Sequence, residues 1–477
     1  MLYTSLTRAF CLGGMVLFIA ACQPDKPSMT APAAYTTINT QQLSQKLTTS
    51  QYTLIDTRSP DAFNGWTLQG EQRGGHIPGA KLLSADWITR DLPELDTAYQ
   101  RTGIQPDQSI IIYGYDREQS TAVANWLVSE MGYSGDHISI LKGGYNQWAA
   151  VEANPVDHLP GYHSLVPPTV LNEQIKNNPQ LKVVEIGWDG GKGKAYRKGH
   201  IPGALYWDDL EFEHPPIYEL NDVEDIRASL QRLGINKNTP VAVYSTDSIG
   251  AARGASVMKY AGVSDVVMLN GGKGVWSAAG LPLDKGWIQP TPVETFGVTG
   301  PGNADVVIDI EQAKTLRNQH DGALVSIRSW EEYVGDISVY GYFQKKGRIT
   351  GALWGKAGDS AWDMNDYHNP DHTMRNYREI EAFWNQWGIH PDSMELAFYC
   401  GNGWRASEVW WYAQAMGYKN NQIYSSGWMR WKNDPENPVS TGDISRDGSL
   451  LAWRIASGNT APASNDDSTY QNIASIK

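Results

Sequence analysis

One short segment of the 477-residue chain combines the residue types of a nucleophilic site. Its residues, in order, are Cys400, Gly401, Asn402, Gly403, Trp404 and Arg405. The glycines permit the positive φ values and the close backbone approach that bring amide N–H groups to a sulfur atom. These N–H groups, the N-terminus of a following helix and the guanidinium of Arg405 all favour a thiolate over a thiol, whose unperturbed pKa is about 8.5. The segment therefore predicts a reactive cysteine.

The N-terminus indicates export from the cytoplasm. An apolar stretch at residues 10–21 follows Arg8 and is too short to span a membrane. It ends in Ala20 and Ala21 directly before Cys22, which is similar to the lipobox of bacterial lipoproteins. Residues 1–21 are thus predicted to be a signal peptide, with Cys22 as the candidate lipid site and 22–34 as a polar tether. An ordinary cleaved signal, in which Cys22 is incidental, is the alternative.

The predicted location is periplasmic, and Gln23 after the cysteine resembles the pattern of proteins sent to the outer membrane. The chain has three cysteines, of which Cys11 lies in the predicted signal and Cys22 at its end. Cys400 is left without a partner in a compartment where cysteines usually pair, which favours a reactive thiol. An inert, buried cysteine is the competing interpretation.

Composition excludes several classes of function. The net charge of −13 and the lack of a basic segment exclude a nucleic-acid-binding protein. No apolar run after residue 21 approaches the length of about 20 residues that a spanning helix needs, so contact with a membrane is expected only through an N-terminal lipid. The length and the 41% content of hydrophobic residues suit roughly three globular domains.

A ten-residue motif occurs three times and predicts three related domains. It reads GGHIPGAKLL at 74–83, KGHIPGALYW at 198–207 and KGRITGALWG at 346–355. Each copy lies between two short β-branched segments, and each second segment is followed by a helical pattern. Strands that alternate with helices over about 120 residues predict an α/β fold, with a mainly parallel sheet flanked by helices in each domain.

The end of the second strand differs between the three repeats. The segments IIIYG, VAVYS and LAFYC place Gly114, Ser245 and Cys400 at equivalent positions. Open α/β sheets bind ligands at the carboxyl ends of their strands, so Cys400 is expected to carry the chemistry and the first two repeats to be inactive. A helix is predicted to begin near Ala406.

Together, the Cys-to-Arg loop, the upstream GHIPGA motif and the downstream segments GGYNQW, GGKGVW and SGWMRW resemble the rhodanese or sulfurtransferase family. The resemblance is closer to the three-domain periplasmic thiosulfate sulfurtransferase-like proteins of bacteria. It implies rhodanese-like domains at 35–157, 158–294 and 295–445, followed by a flexible tail at 446–477. It further implies that Cys400 accepts a sulfane sulfur as a persulfide, that Arg405 binds an anionic donor, and that domain 2 covers the Cys400 pocket.

The sulfur donor stays open between thiosulfate and 3-mercaptopyruvate, because the loop CGNGWR combines features of both types of enzyme. Arg328 matches an arginine that supports the first strand, whereas Glu332 stands where such enzymes commonly have a substrate-binding arginine. The resemblance implies a small anionic donor and a thiol or cyanide acceptor, with a protein acceptor as a further partner. A carrier or binding module without turnover is the alternative of another class.

Other candidate sites are weaker. A phosphatase loop needs five residues between Cys and Arg, and this loop has four, which suits sulfur better than phosphate. His368, Asp371 and His372 form a nominal metal set that Pro370 interrupts, so neither a metal nor a cofactor is predicted. The repeated His76 and His200 are interpreted as structural, and Trp410, Trp411, Trp428 and Trp431 as core residues.

Overall fold

The structure is a computed structural model that describes residues 35–47, 52–338 and 345–442. All of these residues fall within one compact unit that begins at Tyr35. The predicted signal peptide, Cys22, the tether and the tail lie outside the described residues. Within the described residues, no helix is both long enough and apolar enough to cross a bilayer.

Domain 1 alternates short strands and helices. Its strands are β1 (Thr36–Ile38), β2 (Thr53–Asp56), β3 (Lys81–Leu82), β4 (Ile110–Tyr113) and β5 (Ile138–Leu141). Its helices are α1 (Thr40–Lys46), α2 (Pro60–Asn64), α3 (Ala85–Thr89), α4 (Leu95–Thr102), α5 (Arg117–Ser129) and α6 (Gly144–Ala149).

Domain 2 repeats this order and adds a short hairpin. Its strands are β6 (Leu165–Val166), β7 (Lys182–Gly187), β8 (Leu205–Asp208), β9 (Glu213–His214), β10 (Glu219–Leu220), β11 (Val241–Tyr244) and β12 (Val266–Leu269). Its helices are α7 (Pro168–Asn177), α8 (Lys194–Lys198), α9 (Val223–Arg232), α10 (Ser248–Ala261) and α11 (Gly272–Ala278). The antiparallel pair β9–β10 is the hairpin.

Domain 3 contains the strand that ends at the cysteine. Its strands are β13 (Val307–Ile308), β14 (Gly322–Ser326), β15 (Arg348–Ile349), β16 (Leu353–Trp354), β17 (Glu395–Tyr399), β18 (Asn421–Tyr424) and β19 (Val439–Ser440). Its helices are α12 (Ile310–Asn318), α13 (Trp330–Val334), α14 (Tyr377–Gln386), α15 (Trp404–Ala415) and α16 (Gly427–Trp431). Strands β15 and β19 form a small antiparallel pair.

The three main sheets have the same topology. Their strand orders are β1-β5-β4-β2-β3, β6-β12-β11-β7-β8 and β13-β18-β17-β14-β16, and neighbouring strands are parallel throughout. The equivalent strands β4, β11 and β17 lie at the centre of each sheet and are buried, as the apolar segments predict. Gly114, Ser245 and Cys400 each directly follow one of these central strands, which confirms their predicted equivalence.

The repeated motif is explained by one hydrogen bond that recurs in each domain. The tyrosine that ends the central strand accepts from the backbone N–H of the isoleucine in the motif. The three bonds are Ile77 N–H to Tyr113 at 3.0 Å, Ile201 N–H to Tyr244 at 3.0 Å and Ile349 N–H to Tyr399 at 3.4 Å. The motif thus fixes a turn against the strand end that carries the loop. His76 and His200 contact carbonyl oxygens through their rings, which confirms their structural interpretation.

The domains pack into a shared interior. One cluster of buried apolar residues contains members from all three domains, from Ile38 in domain 1 to Ile423 in domain 3. Backbone hydrogen bonds also cross the boundaries, as between Gly161 N–H and the carbonyl of Ala415 at the end of α15 (2.7 Å). Burial of apolar surface dominates the stability of a folded chain, so the three repeats do not fold as separate, independent domains.

Candidate active site

Cys400 lies at the carboxyl end of the central strand of domain 3, between β17 and α15, and its residue is 1% exposed. The backbone N–H of Gly403 donates to its Sγ at 3.2 Å. The helix begins at Trp404, two residues before the predicted start near Ala406. The reason is that Gly403 takes a left-handed conformation, with φ of 92°, and turns the chain directly into the helix.

The segment after β18 supports the loop from below. Backbone N–H groups of Trp428 and Met429 donate to the carbonyls of Cys400 and Gly401 at 2.9 and 3.0 Å. A Cβ atom at Gly427 would lie 2.6 Å from the carbonyl oxygen of Cys400, so only glycine allows this approach. The glycine of the downstream SGWMRW segment therefore has a physical reason that the sequence alone did not give.

Arg405 occupies the second position of the helix and is buried against Glu332. The guanidinium donates to both carboxylate oxygens, with distances of 2.9 and 3.1 Å, and to the carbonyl of Ser360 at 3.2 Å. Burial opposes ionisation of Glu332, but the charge of Arg405 outweighs it and holds the pKa of that carboxyl below its usual range. Glu332, noted from sequence only as the absence of an arginine, is thus the partner of Arg405.

A cavity of about 470 Å³ opens above the thiol. Domain 3 contributes Ala361, Trp362, Cys400, Asn402, Trp404 and Arg405 to its lining, and domain 2 contributes Trp188, Asp209, Tyr218, Asp247 and Ile249. The prediction that domain 2 covers the Cys400 pocket is therefore confirmed. Of the described residues of domain 1, none lines this cavity.

The wall from domain 2 is acidic and aromatic. The ring of Trp188 contacts that of Trp404 edge to face, with centroids 5.4 Å apart, and Trp362 across the pocket is 76% exposed. Burial, followed by the neighbouring charges of Asp208 and Glu213, raises the pKa of Asp209 to about 7. Asp209 and Asp247 are the two carboxyl groups that domain 2 contributes to the lining.

Two further residues of domain 2 lie beneath the loop and were missed by sequence reasoning. Glu213, on β9, accepts from the indole N–H of Trp404 at 3.0 Å, and it also accepts from Nε of Arg253 at 2.5 Å. Arg253 lies on α10 and is fully buried. The signal in the sequence was faint: an arginine in the middle of an otherwise small and apolar helical segment.

The remaining predicted residues do not line the cavity. Arg328 is buried and donates to the carbonyl of Gly347 at 2.7 Å, which suits a supporting role. His368 contacts Ser248 and Glu408. Asp371 accepts from Trp87 of domain 1. Trp410, Trp411, Trp428 and Trp431 are buried, as predicted. Within the described ranges no group of three His, Cys, Asp or Glu residues could hold a metal.

Fold and site together define a rhodanese-type sulfurtransferase with one cysteine-bearing loop among three homologous domains. The model of the family described as "Rhodanese-like domain" matches residues 39–151, 169–279 and 309–434, and the chain belongs to this family.

Similar proteins carry names that agree with this class. Thiosulfate sulfurtransferase YnjE of Escherichia coli is 40% identical over 406 residues, which cover 83% of this chain and 90% of YnjE. Sulfur carrier protein TtuD of Thermus thermophilus is 28% identical over 279 residues, or 56% of this chain and 93% of TtuD.

Solved structures of another sulfur-transfer enzyme are also similar. The anaerobic ergothioneine biosynthesis enzyme from Chlorobium limicola, in complex with its natural substrate trimethyl histidine, has a TM-score of 0.81 and 38% identity. The match covers 86% of this chain and 100% of the chain of that enzyme. A structure of EanB with a persulfide on its cysteine matches with the same TM-score and identity and covers the same shares of both chains.

Proposed function

We propose that this protein transfers a sulfane sulfur from thiosulfate, or a related donor, to a thiophilic acceptor through a persulfide on Cys400. The observation that supports this most directly is the position of Cys400 at the start of a strand-to-helix loop. The Gly403 N–H donates to its sulfur, and the residue lines an open cavity. The name of the E. coli relative supports thiosulfate as the donor.

In the first half-reaction, the Cys400 thiolate attacks the outer sulfur of thiosulfate. The new S–S bond forms as the bond between the two sulfur atoms of thiosulfate breaks, and sulfite leaves with the electron pair. In the second, a cyanide or thiolate acceptor attacks the outer sulfur of the persulfide and releases the Cys400 thiolate. Both half-reactions conserve charge and need neither a metal nor an oxidant.

The loop stabilises the anionic sulfur in both states. Gly403 N–H already donates to Sγ, and among the described side chains none caps the N-terminus of α15, so its first amides face the loop. Arg405 acts mainly through its pair with Glu332, because a buried and neutralised guanidinium holds the start of the helix rather than binding a free anion. This revises the role expected for Arg405 and leaves backbone amides as the principal donors to sulfur.

Intact-mass spectrometry tests the proposal. The parent protein and Cys400→Ala are each incubated briefly with thiosulfate or 3-mercaptopyruvate, and then with cyanide. We expect the parent alone to gain the mass of one sulfur atom and to lose it to cyanide. A parent protein whose Cys400 is alkylated by iodoacetamide but gains no sulfur from either donor would contradict the proposal.

The same experiment separates the alternatives. A preference for mercaptopyruvate in the rate of persulfide formation would identify that donor instead of thiosulfate. A persulfide that forms once but is not turned over by cyanide or small thiols would indicate a carrier that is emptied by a partner protein, as the name of the T. thermophilus relative suggests for that protein.

A cationic acceptor is a second candidate, favoured by the pocket wall. Aromatic faces and carboxylates together attract organic cations, and the cavity presents Trp188, Trp404, Asp209 and Asp247 beside the thiol. The enzyme from C. limicola, which is 38% identical, has trimethyl histidine as its natural substrate. In such a transfer, the acceptor exchanges a C–H bond for a C–S bond, while the S–S bond of the persulfide is replaced by the S–H bond of Cys400.

This candidate is tested on protein that already carries the persulfide. Trimethyl histidine and unmethylated histidine are offered separately, and the small molecules are analysed by mass spectrometry. Transfer to the methylated compound, reduced by Asp209→Asn but not by the surface change Asp225→Asn, would support a cationic acceptor. Equal, slow transfer to both compounds, or none while cyanide still removes the sulfur, would exclude it.

The location is a separate proposal that rests on residues 1–34. We infer export to the periplasm and attachment of a lipid at Cys22, because a short apolar stretch ends in small residues before this cysteine. Cell fractionation of the parent and of Cys22→Ser tests it. We expect the parent in the outer-membrane fraction and the variant outside it; recovery of both in the cytoplasm would contradict export.

A further inference from the structure

An ion pair from domain 2 lies directly beneath the catalytic loop of domain 3. Arg253 on α10 is 0% exposed and Glu213 on β9 is 1% exposed, and the guanidinium Nε donates to Oε1 of the carboxylate. Removing two charges from water costs several kcal/mol per ion, so a buried pair seldom adds stability over an apolar pair of the same size. A specific geometric role is therefore the more informative explanation for this pair.

The pair lies against two residues of the loop, Trp404 and Gly403. Oε2 of Glu213 accepts from the indole N–H of Trp404 at 3.0 Å, which fixes the ring that forms one wall of the pocket. Nη1 of Arg253 lies so close to Gly403 that a Cβ atom there would be only 2.8 Å away. Gly403 in turn donates its N–H to the sulfur of Cys400. Arg253 thus reaches the sulfur through Gly403, and Glu213 reaches the wall of the pocket through Trp404.

Arg253 is held from the other side by domain 3. Its Nη2 donates to Oγ of Ser425 at 2.9 Å, and Ser425 precedes the glycine turn that supports the loop. Its Nη1 lies 3.5 Å from Oγ of Ser407, on the first turn of α15. The guanidinium therefore has partners on β9, on α15 and after β18, a fixed fork that a lysine could not reproduce.

We propose that Arg253 and Glu213 are positioning residues for the Cys400 reaction, supplied by domain 2. Glu213 orients Trp404, and Arg253 holds the backbone at Gly403 so that its N–H points at the sulfur. The proposal deepens the sulfur-transfer function and rests on it for the effect on turnover. It assigns to the thiol-free second domain an active part in the site in addition to covering it.

The two variants predict different electrostatic signatures at the same thiol. Glu213→Gln keeps the size and an acceptor for Trp404 but leaves the cation of Arg253 uncompensated near the loop. Cys400 should then be alkylated at lower pH than in the parent, because a nearby positive charge favours the thiolate. Arg253→Met removes the cation, and because burial already raises the pKa of Glu213, this carboxyl should take up a proton and leave the midpoint near that of the parent. A pair too far from Cys400 to act on it would leave the midpoint unchanged in Glu213→Gln as well.

The experiment measures the pH midpoint of iodoacetamide alkylation on the peptide that contains Cys400, in the full-length folded protein. Persulfide formation from thiosulfate is measured in parallel. We expect a lower midpoint for Glu213→Gln and a midpoint near that of the parent for Arg253→Met, with persulfide formation slowed about tenfold or more in both. The matched control is Arg227→Met. It also removes a buried arginine of domain 2, one that donates to Glu224 and to the carbonyls of Ala261, Gly300 and Pro301.

Trp404→Phe provides a second, gentler variant that removes only the indole donor to Glu213. We expect it to slow persulfide formation without moving the alkylation midpoint, because no charge changes. An unchanged midpoint in Glu213→Gln, persulfide formation that is not slowed in the two charge variants, or the same changes in Arg227→Met would overturn the proposal. A shifted midpoint in a protein that forms no persulfide would instead uphold the positioning and contradict the sulfur-transfer function.

Discussion

Domain 2 and domain 3 satisfy the polar groups at the same strand end in opposite ways. In domain 2, Oγ of Ser245 donates to the carbonyl of Ile186 at 2.8 Å, and Asp247 caps α10 by accepting from Gly250 N–H. In domain 3, the sulfur of Cys400 itself accepts from the loop, and no described side chain caps α15. The inactive loop satisfies its own polar groups, whereas the active loop leaves its amides to an anionic sulfur.

In domain 1, the position equivalent to Cys400 has no room for a side chain. A Cβ atom at Gly114 would lie 2.4 Å from Oγ1 of Thr57, so no side chain fits there without rearrangement. Asp116 caps the following helix α5, as Asp247 caps α10. Three sheets with one strand order thus differ in chemistry because of a few atoms at one loop: the side chain at the strand end, the cap of the helix and the turn between them.

The largest expected effect comes from Glu332→Ala, which removes the partner of Arg405 in the active loop. A buried guanidinium without its carboxylate should cost about 3–5 kcal/mol in free energy of unfolding, and persulfide formation should fall at least 100-fold as the helix start shifts. Urea unfolding and intact-mass kinetics measure these effects.

The matched change in domain 2 is Glu185→Ala, which breaks the pair of Glu185 with Lys273. A similar loss of stability is expected, with persulfide formation preserved in the protein that remains folded. Equal loss of activity in both variants would mean that the Arg405 pair has no special role at the thiol.

Asp209→Asn tests how much the buried carboxyl of Asp209, in the domain 2 wall of the pocket, lowers the free energy of unfolding. The folded-state pKa of about 7 lies above the ordinary value of an aspartate, so the folded protein binds the extra proton and its stability falls as pH rises from about 4 to about 7. The variant removes this loss and should be more stable than the parent at pH 8, relative to pH 5, by about 2–3 kcal/mol.

Urea unfolding at the two pH values measures this difference, and Asp208 and Glu213 are the charged neighbours that act on Asp209. Asp225→Asn, at the exposed start of α9, should leave the difference between pH 8 and pH 5 as it is in the parent. An identical pH dependence in the parent and Asp209→Asn would contradict a raised pKa at this position.

Gly403→Ala isolates the turn of the active loop. A side chain there meets the guanidinium of Arg253 and the carbonyl of Ser425 within 2.8 Å, and the backbone needs a φ of 92°. We expect a loss of about 2 kcal/mol and slower persulfide formation, measured by thermal unfolding and mass spectrometry. Gly388→Ala has a φ of 70° with open space around it, so it should cost only about 1 kcal/mol and leave the reaction unchanged.

Ser245→Cys in a Cys400→Ala background gives the smallest expected change and the sharpest distinction between the two loops. A thiol at the end of β11 should gain no sulfur from thiosulfate, because Asp247 already occupies the helix N-terminus, and stability should change by less than about 1 kcal/mol. Persulfide formation at this position would show that a strand-end thiol is sufficient without the turn of domain 3.

The strand ends could be predicted from sequence because they depend on local patterns. The apolar segments, the repeated motif and the position of Cys400 can each be recognised from a stretch of about ten residues. The structure confirms all three. The start of α15 was misplaced by two residues, because the left-handed turn at Gly403 shortens the loop. The boundaries proposed for the three domains stay predictions.

What the sequence could not give is contact over long distances along the chain. Glu213 and Trp404 are 191 residues apart, and neither has a neighbour in the sequence that suggests the other. The same holds for Arg405 and Glu332, which are 73 residues apart. The first pair arises from the packing of two domains and the second from the packing of α13 against α15 within domain 3, and a single sequence contains no record of either.

The apolar cluster shared by all three domains also bears on how such a chain can change over generations. A duplicated copy that had lost its thiol could be deleted only if its removal left no bare apolar face on its neighbours. Of the described residues of domain 1 none lines the pocket, yet Trp87 donates to Asp371 of domain 3, and Arg101 donates to the carbonyls of Asn365 and His368. Domain 1 is therefore retained for a structural reason. Selection for a folded third repeat also retains the first repeat, which need not contact a substrate.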